Sequence, residues 1–94
     1  MQFPTIHMNG TSVESLLEMN EEAYQALGVA MASLRNAGPN GRDYYPQAGN
    51  AMSNAVAEHE ARLRRIHEVM IELENMGEYL ATEQDKRRTR KVSA

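Results

Sequence analysis

A chain of 94 residues with no cysteine and a net charge of −3 makes one small domain without disulfides, thiolate metal sites or a thiol nucleophile. No apolar run reaches the ~20 residues of a membrane helix, and Met1-Gln2-Phe3-Pro4-Thr5 lacks the basic start of a signal peptide, so the chain reads as soluble and cytoplasmic, with no membrane partner. The charge is divided: residues 1–85 hold all 13 acids against 5 arginines, −8, whereas Lys86, Arg87, Arg88, Arg90 and Lys91 carry +5. The acidic body is expected to repel nucleic acid, which leaves only the basic end as a phosphate-binding arm.

In chain order, Phe3, Ile6 and Met8 alternate with polar residues, a pattern that predicts an extended arm laid against helices. Asn9-Gly10 turns the chain, and Thr11 with Glu14 reads as a capping box that starts a helix at Ser12. Val13, Leu17, Asn20, Tyr24, Leu27, Met31 and Leu34 then advance by fours and threes until Gly38-Pro39, which predicts a first helix over residues 12–36. Met52, Val56, His59, Leu63, Ile66, Met70, Leu73, Gly77 and Leu80 step the same way, the seam of an antiparallel coiled coil. A second helix is predicted over 47–81, opened by Tyr45-Pro46 or by Asn50, with Gly49 weakening the earlier start. The expected architecture is an all-α antiparallel two-helix hairpin forming one domain, 1–81, followed by a disordered basic tail, 82–94. Two helices bury one stripe each, and the second half of the later helix adds Val69, Ile71 and Met76 to its seam. The core is therefore expected to be completed by assembly into a helical homo-oligomer.

Polar residues on the seams have mainly structural readings. Asn20 interrupts an apolar stripe, the place where a polar residue fixes register. His59 is expected to bond a neighbour across the hairpin such as Tyr24. His59 and His67 lie eight residues apart with Leu63 between them, and Arg62 shares the face of His59, so no metal site and no other cofactor is predicted. There is no serine, histidine and acid arrangement, no glycine-rich phosphate loop and no pair of carboxylates in a catalytic context, so the chain is read as non-enzymatic. Arg64 and Arg65 sit among glutamates, as surface ion pairs do, while Arg62 falls beside the seam and is a candidate phosphate contact. The basic tail reads first as a solvated end, with nucleic acid or an acidic partner as the alternative.

The connection between the helices is different. Gly38-Pro39-Asn40-Gly41-Arg42-Asp43-Tyr44-Tyr45-Pro46 places a guanidinium fork, two aromatic faces and a backbone turn in nine residues, and a plain connector needs fewer. Arg42 is suited to phosphate, Tyr44 and Tyr45 to stacking on a base, and Asn40 and Asp43 to polar contacts. The structural alternative is a left-handed Asn40-Gly41 turn, an Arg42–Asp43 pair and tyrosines stapled onto the helix ends. Asn9 and Thr11 could join such a site only from another subunit, because they lie at the opposite end of the hairpin.

With its Asn9-Gly10-Thr11 turn, its helical stripe and its Pro39-to-Tyr45 loop, the chain resembles the small helical proteins of tailed bacteriophages. In size, cysteine content and two-helix plan it is also similar to the anti-CBASS cyclic-nucleotide sponges of phages. That resemblance implies an oligomer in the cytoplasm of an infected bacterial host that sequesters a small nucleotide immune signal without cleaving it. The alternative from the residues is an oligomeric adaptor, chaperone or virion-associated interaction protein with no small ligand.

Overall fold

The structure is a computed structural model that describes residues 1–93, with side chains through residue 90. Two helices, α1 (Val13–Asn36) and α2 (Ala51–Ser93), pack antiparallel and are joined through a short 3-10 turn, Gly41–Asp43; no strand occurs among the described residues. The result is a rod of 72 × 21 × 21 Å. The all-helical hairpin expected from the two stripes is present.

The helix ends differ in detail from expectation, each for a local reason. Ser12, not Thr11, is the N-cap of α1: its backbone is extended and its Oγ accepts from the Ser15 N–H at 3.2 Å. This register puts Val13 at the first helical position, where it is only 2% exposed. At the other end the Ala37 N–H reaches the carbonyls of Ser33 and Leu34, both at 3.1 Å, and Gly38-Pro39 ends the helix. The second helix begins at Ala51, the later of the two expected starts, rather than at 47. Gly49 lies at φ 74°, a left-handed conformation that no helix can pass through. The Asn50 carbonyl then accepts the first helical bond, from the Asn54 N–H at 2.9 Å.

The far end of α2 departs most from expectation. Where a tail from residue 82 was expected, the helix continues to Ser93. Its last turns are polar but locally bonded. Lys86 pairs with Glu83 at 3.3 Å, and the hydroxyls of Thr82 and Thr89 donate to the carbonyls of Glu78 and Asp85 at 2.9 Å. Cations near a helix C-terminus also oppose the helix dipole, so this charge pattern favours continuation. The side chain of Lys91 and all of Ala94, both in the expected tail, lie outside the described residues.

Two part-buried polar bonds set the register between the helices. The Asn20 amide donates to the Leu73 carbonyl at 2.9 Å, and the His59 ring donates from Nε2 to the Leu34 carbonyl at 2.7 Å. Asn20 thus fixes register as its seam position suggested. His59 does not bond Tyr24; it serves a carbonyl in the last turn of α1, where free acceptors collect. Gly77 gives Asn20 its room, since a Cβ there would come within 3.2 Å of the Asn20 amide nitrogen.

The arm packs on the outer half of α2. Phe3 stacks on Tyr79 with ring centroids 4.6 Å apart, the Tyr79 hydroxyl donates to the Pro4 carbonyl at 2.6 Å, and Arg87 donates to the Ile6 carbonyl at 2.7 Å. A turn closed by the Gly10 N–H on the His7 carbonyl returns the chain to α1. The core itself is thin: Val13, Met31, Ala55, His59 and Leu80 are buried, while most seam residues are half-buried.

Candidate binding site at the hairpin tip

The tip loop owes its shape to Asn40. Its backbone is extended and its Oδ1 accepts from the Arg42 N–H at 3.0 Å, a side-chain turn that starts the 3-10 segment. The Asp43 N–H then bonds the Asn40 carbonyl at 3.0 Å, and the Tyr44 and Tyr45 N–H groups share the Gly41 carbonyl at 3.1 and 2.9 Å. The backbone is therefore satisfied from within. Neither Asn40 nor Gly41 has a positive φ, so the turn is not the left-handed one.

This economy leaves the side chains facing out. Arg42 and Asp43 are exposed, no ion pair joins them among the described residues, and Tyr45 is 81% exposed; Tyr44 is half-buried. Of the structural roles a purely connecting loop would assign, only the packing of Tyr44 is present. Asn40, Arg42, Asp43, Tyr44 and Tyr45 thus share one end of the hairpin.

The remaining candidates lie elsewhere. Asn9 and Thr11 are exposed at the start of α1, the opposite end from the loop. Arg62 sits in the first third of α2, three turns beyond its start, where its guanidinium is 3.9 Å from Glu58, one turn earlier. Within one chain the structure does not bring these three to the loop.

One hollow was not anticipated from the sequence. It is a groove of about 670 Å³ between the helices, floored by Asn20 and Gly77 and rimmed by Glu18, Glu21, Glu74 and Glu78. Tyr24 crosses it to donate to Glu74 at 2.6 Å. That hydrogen bond, then desolvation and the charges of Glu74 and Glu21, hold the Tyr24 phenol above its ordinary range. The only early sign was the recurrence of glutamate beside each seam at this level. Four carboxylates make the groove repel anions, so it is unsuited to phosphate. Among the described residues no three histidines or acids converge as metal ligands.

The chain matches no protein-family model, no curated protein and no solved structure.

Proposed function

We propose that this protein is a non-enzymatic binding protein that sequesters a small nucleotide signal through its tip loop, acting as a homo-oligomer in the cytoplasm of a phage-infected bacterium. The observation that carries this reading is the loop itself. Asn40 holds the backbone, while Arg42 and Tyr45 point into solvent with no structural task. A guanidinium beside an exposed ring is the minimal grip for a phosphate linked to a base. Arg42 is assigned the phosphate, Tyr45 and Tyr44 the base, and Asp43 the polar edge of the base. The resemblance to phage sponges supports the same reading, and sequestration requires no catalytic group. One loop alone is too open to enclose a ligand, so the site calls for a second subunit, with Asn9 and Thr11 as its contributors; Arg62 remains a candidate phosphate contact on α2.

Isothermal titration with a panel of cyclic dinucleotides and cyclic ADP-ribose nucleotides tests the proposal. Wild-type chain is expected to bind one class at fixed stoichiometry, and Arg42→Ala is expected to lose that binding at least tenfold with helicity unchanged. Absence of heat with every member of the panel would sink it.

A second reading draws on a different observation: Met19 is 54% and Val69 43% exposed, along helices whose seams are only half-buried. That is the surface of an interaction protein, an adaptor, chaperone or virion component without a small ligand. If purified chain is polydisperse and becomes discrete only with a heterologous protein, this reading replaces the first.

A further inference from the structure

One flank of the hairpin is apolar around its middle. On α1, Met19, Ala23, Ala26 and Ala30 follow each other at heptad spacing beside the seam, and all are exposed. On α2 the same flank carries Val69, with Met76 half-buried one heptad after it and the exposed Arg62, 3.9 Å from Glu58, one heptad before it, where the apolar stretch ends. The opposite flank is the acidic groove. The apolar flank has a charged rim on α2: Glu58, Arg65 and Glu72, seven residues apart and so on one line, all exposed.

We infer that this flank is the contact surface for a second copy of the chain, paired antiparallel about a two-fold axis at the level of Ala26 and Val69. The cross-hairpin contacts Asn20 to Leu73, Tyr24 to Glu74 and Gly28 to Met70 place Ala26 level with the residues around Val69. A two-fold there sets α2 on α2 of the second copy, with Val69 meeting its equivalent. Arg65 then lies level with Glu72 of the second copy, and Glu72 with its Arg65, so the rim charges are self-complementary. On α1, Ala26 meets Ala26 and Ala23 meets Ala30, small residues that let helices approach closely. Parallel pairing is disfavoured, because it sets α1 on α2 of the second copy and brings Glu22 level with Glu72. Arg65 makes no ion pair within its own chain among the described residues, which leaves it available for this contact.

The pairing has a consequence for the loop. The tip lies about 18 helical residues, roughly 27 Å, from the axis on one side, and Arg87 lies as far on the other. Each loop therefore falls beside the second copy's basic helix end, with Lys86 and Arg88, and beside its Asn9-to-Thr11 turn. Residues at opposite ends of one chain become neighbours, and the cations needed for a phosphate are concentrated there. This consequence rests on the loop being the binding site; the pairing itself does not.

Because the chain has no cysteine, a single introduced thiol reports one contact. Val69→Cys is expected to form a disulfide dimer rapidly on mild oxidation, whereas Val29→Cys, 70% exposed on the back of α1, is expected to stay largely uncrosslinked. By sedimentation, Arg65→Glu and Glu72→Arg are each expected to weaken association on the order of tenfold, and the double variant to restore it. Equal crosslinking of the two cysteine variants, or a double variant no better than the single ones, would overturn the pairing. Absence of binding to every cyclic dinucleotide and cyclic ADP-ribose nucleotide by chain that crosslinks as expected would overturn the sequestration reading and leave the pairing standing.

Discussion

Gly77 and Asn20 offer the sharpest test of how the two helices are held in register. Glycine inside a helix costs about 0.5–1 kcal/mol relative to alanine, so Gly77→Ala should stabilise α2 by that amount if nothing else changed. Something else does change: the added Cβ lies 3.2 Å from the Asn20 amide nitrogen, which is pinned by its 2.9 Å bond to the Leu73 carbonyl. Asn20 must move by a few tenths of an ångström, and a part-buried hydrogen bond worth about 1 kcal/mol is put at risk. The two effects nearly cancel, so Gly77→Ala alone is expected to be neutral or slightly destabilising. Asn20→Ala should cost about 1 kcal/mol. In that background no other atom lies within 4 Å of the new Cβ, so Gly77→Ala should recover its full helix gain. Thermal unfolding by circular dichroism at one chain concentration reads this as a coupling of about 1 kcal/mol, or roughly 4–8 °C for a domain of this size. Strict additivity of the two substitutions would refute the argument.

Other outcomes follow from single contacts. Leu80→Ala removes a side chain that is 1% exposed and should cost about 2 kcal/mol or more, measured by urea unfolding. Tyr79→Phe keeps the ring on Phe3 but removes the 2.6 Å bond to the Pro4 carbonyl; a loss of about 1 kcal/mol and faster proteolysis within residues 1–10 are expected, with α1 unaffected. Tyr24 has a raised folded-state pKa, so its contribution to stability is fully present below about pH 10 and is lost as pH rises through the raised value. Ring NMR signals should show Tyr24 ionising above the ordinary tyrosine range, and Glu74→Gln should bring it down. Unchanged titration in Glu74→Gln would remove the carboxylate as the cause.

What could be read early was whatever depends on apolar period. The four-and-three steps from Val13 to Leu34 and from Met52 to Leu80 define both helices, and they place Asn20 and His59 on facing seams. What escaped depended on polar detail. Thr11 and Ser12 are both good caps, and only the burial of Val13 decides between them. A helix carried by lysine, arginine and glutamine past Leu80 has no apolar stripe to announce it, and its tie to the arm, Arg87 to Ile6, spans 81 residues of sequence. Tyr24 found Glu74 rather than His59 because side-chain direction, not level alone, chooses the partner. In the loop, residue types suggested chemistry, but the free orientation of Arg42 and Tyr45 emerges only once Asn40 is seen to close the turn.

Uptake of a nucleotide by the loop of an assembled protein, as proposed above, changes the mass of the complex. Native mass spectrometry of the full chain, before and after mixing with cyclic dinucleotides and cyclic ADP-ribose nucleotides, tests it most directly. A discrete oligomer that gains ligand masses in a fixed ratio to subunits is expected, together with an Arg42→Ala oligomer of the same size that gains none. A discrete wild-type oligomer that gains no mass from any of these nucleotides would contradict it.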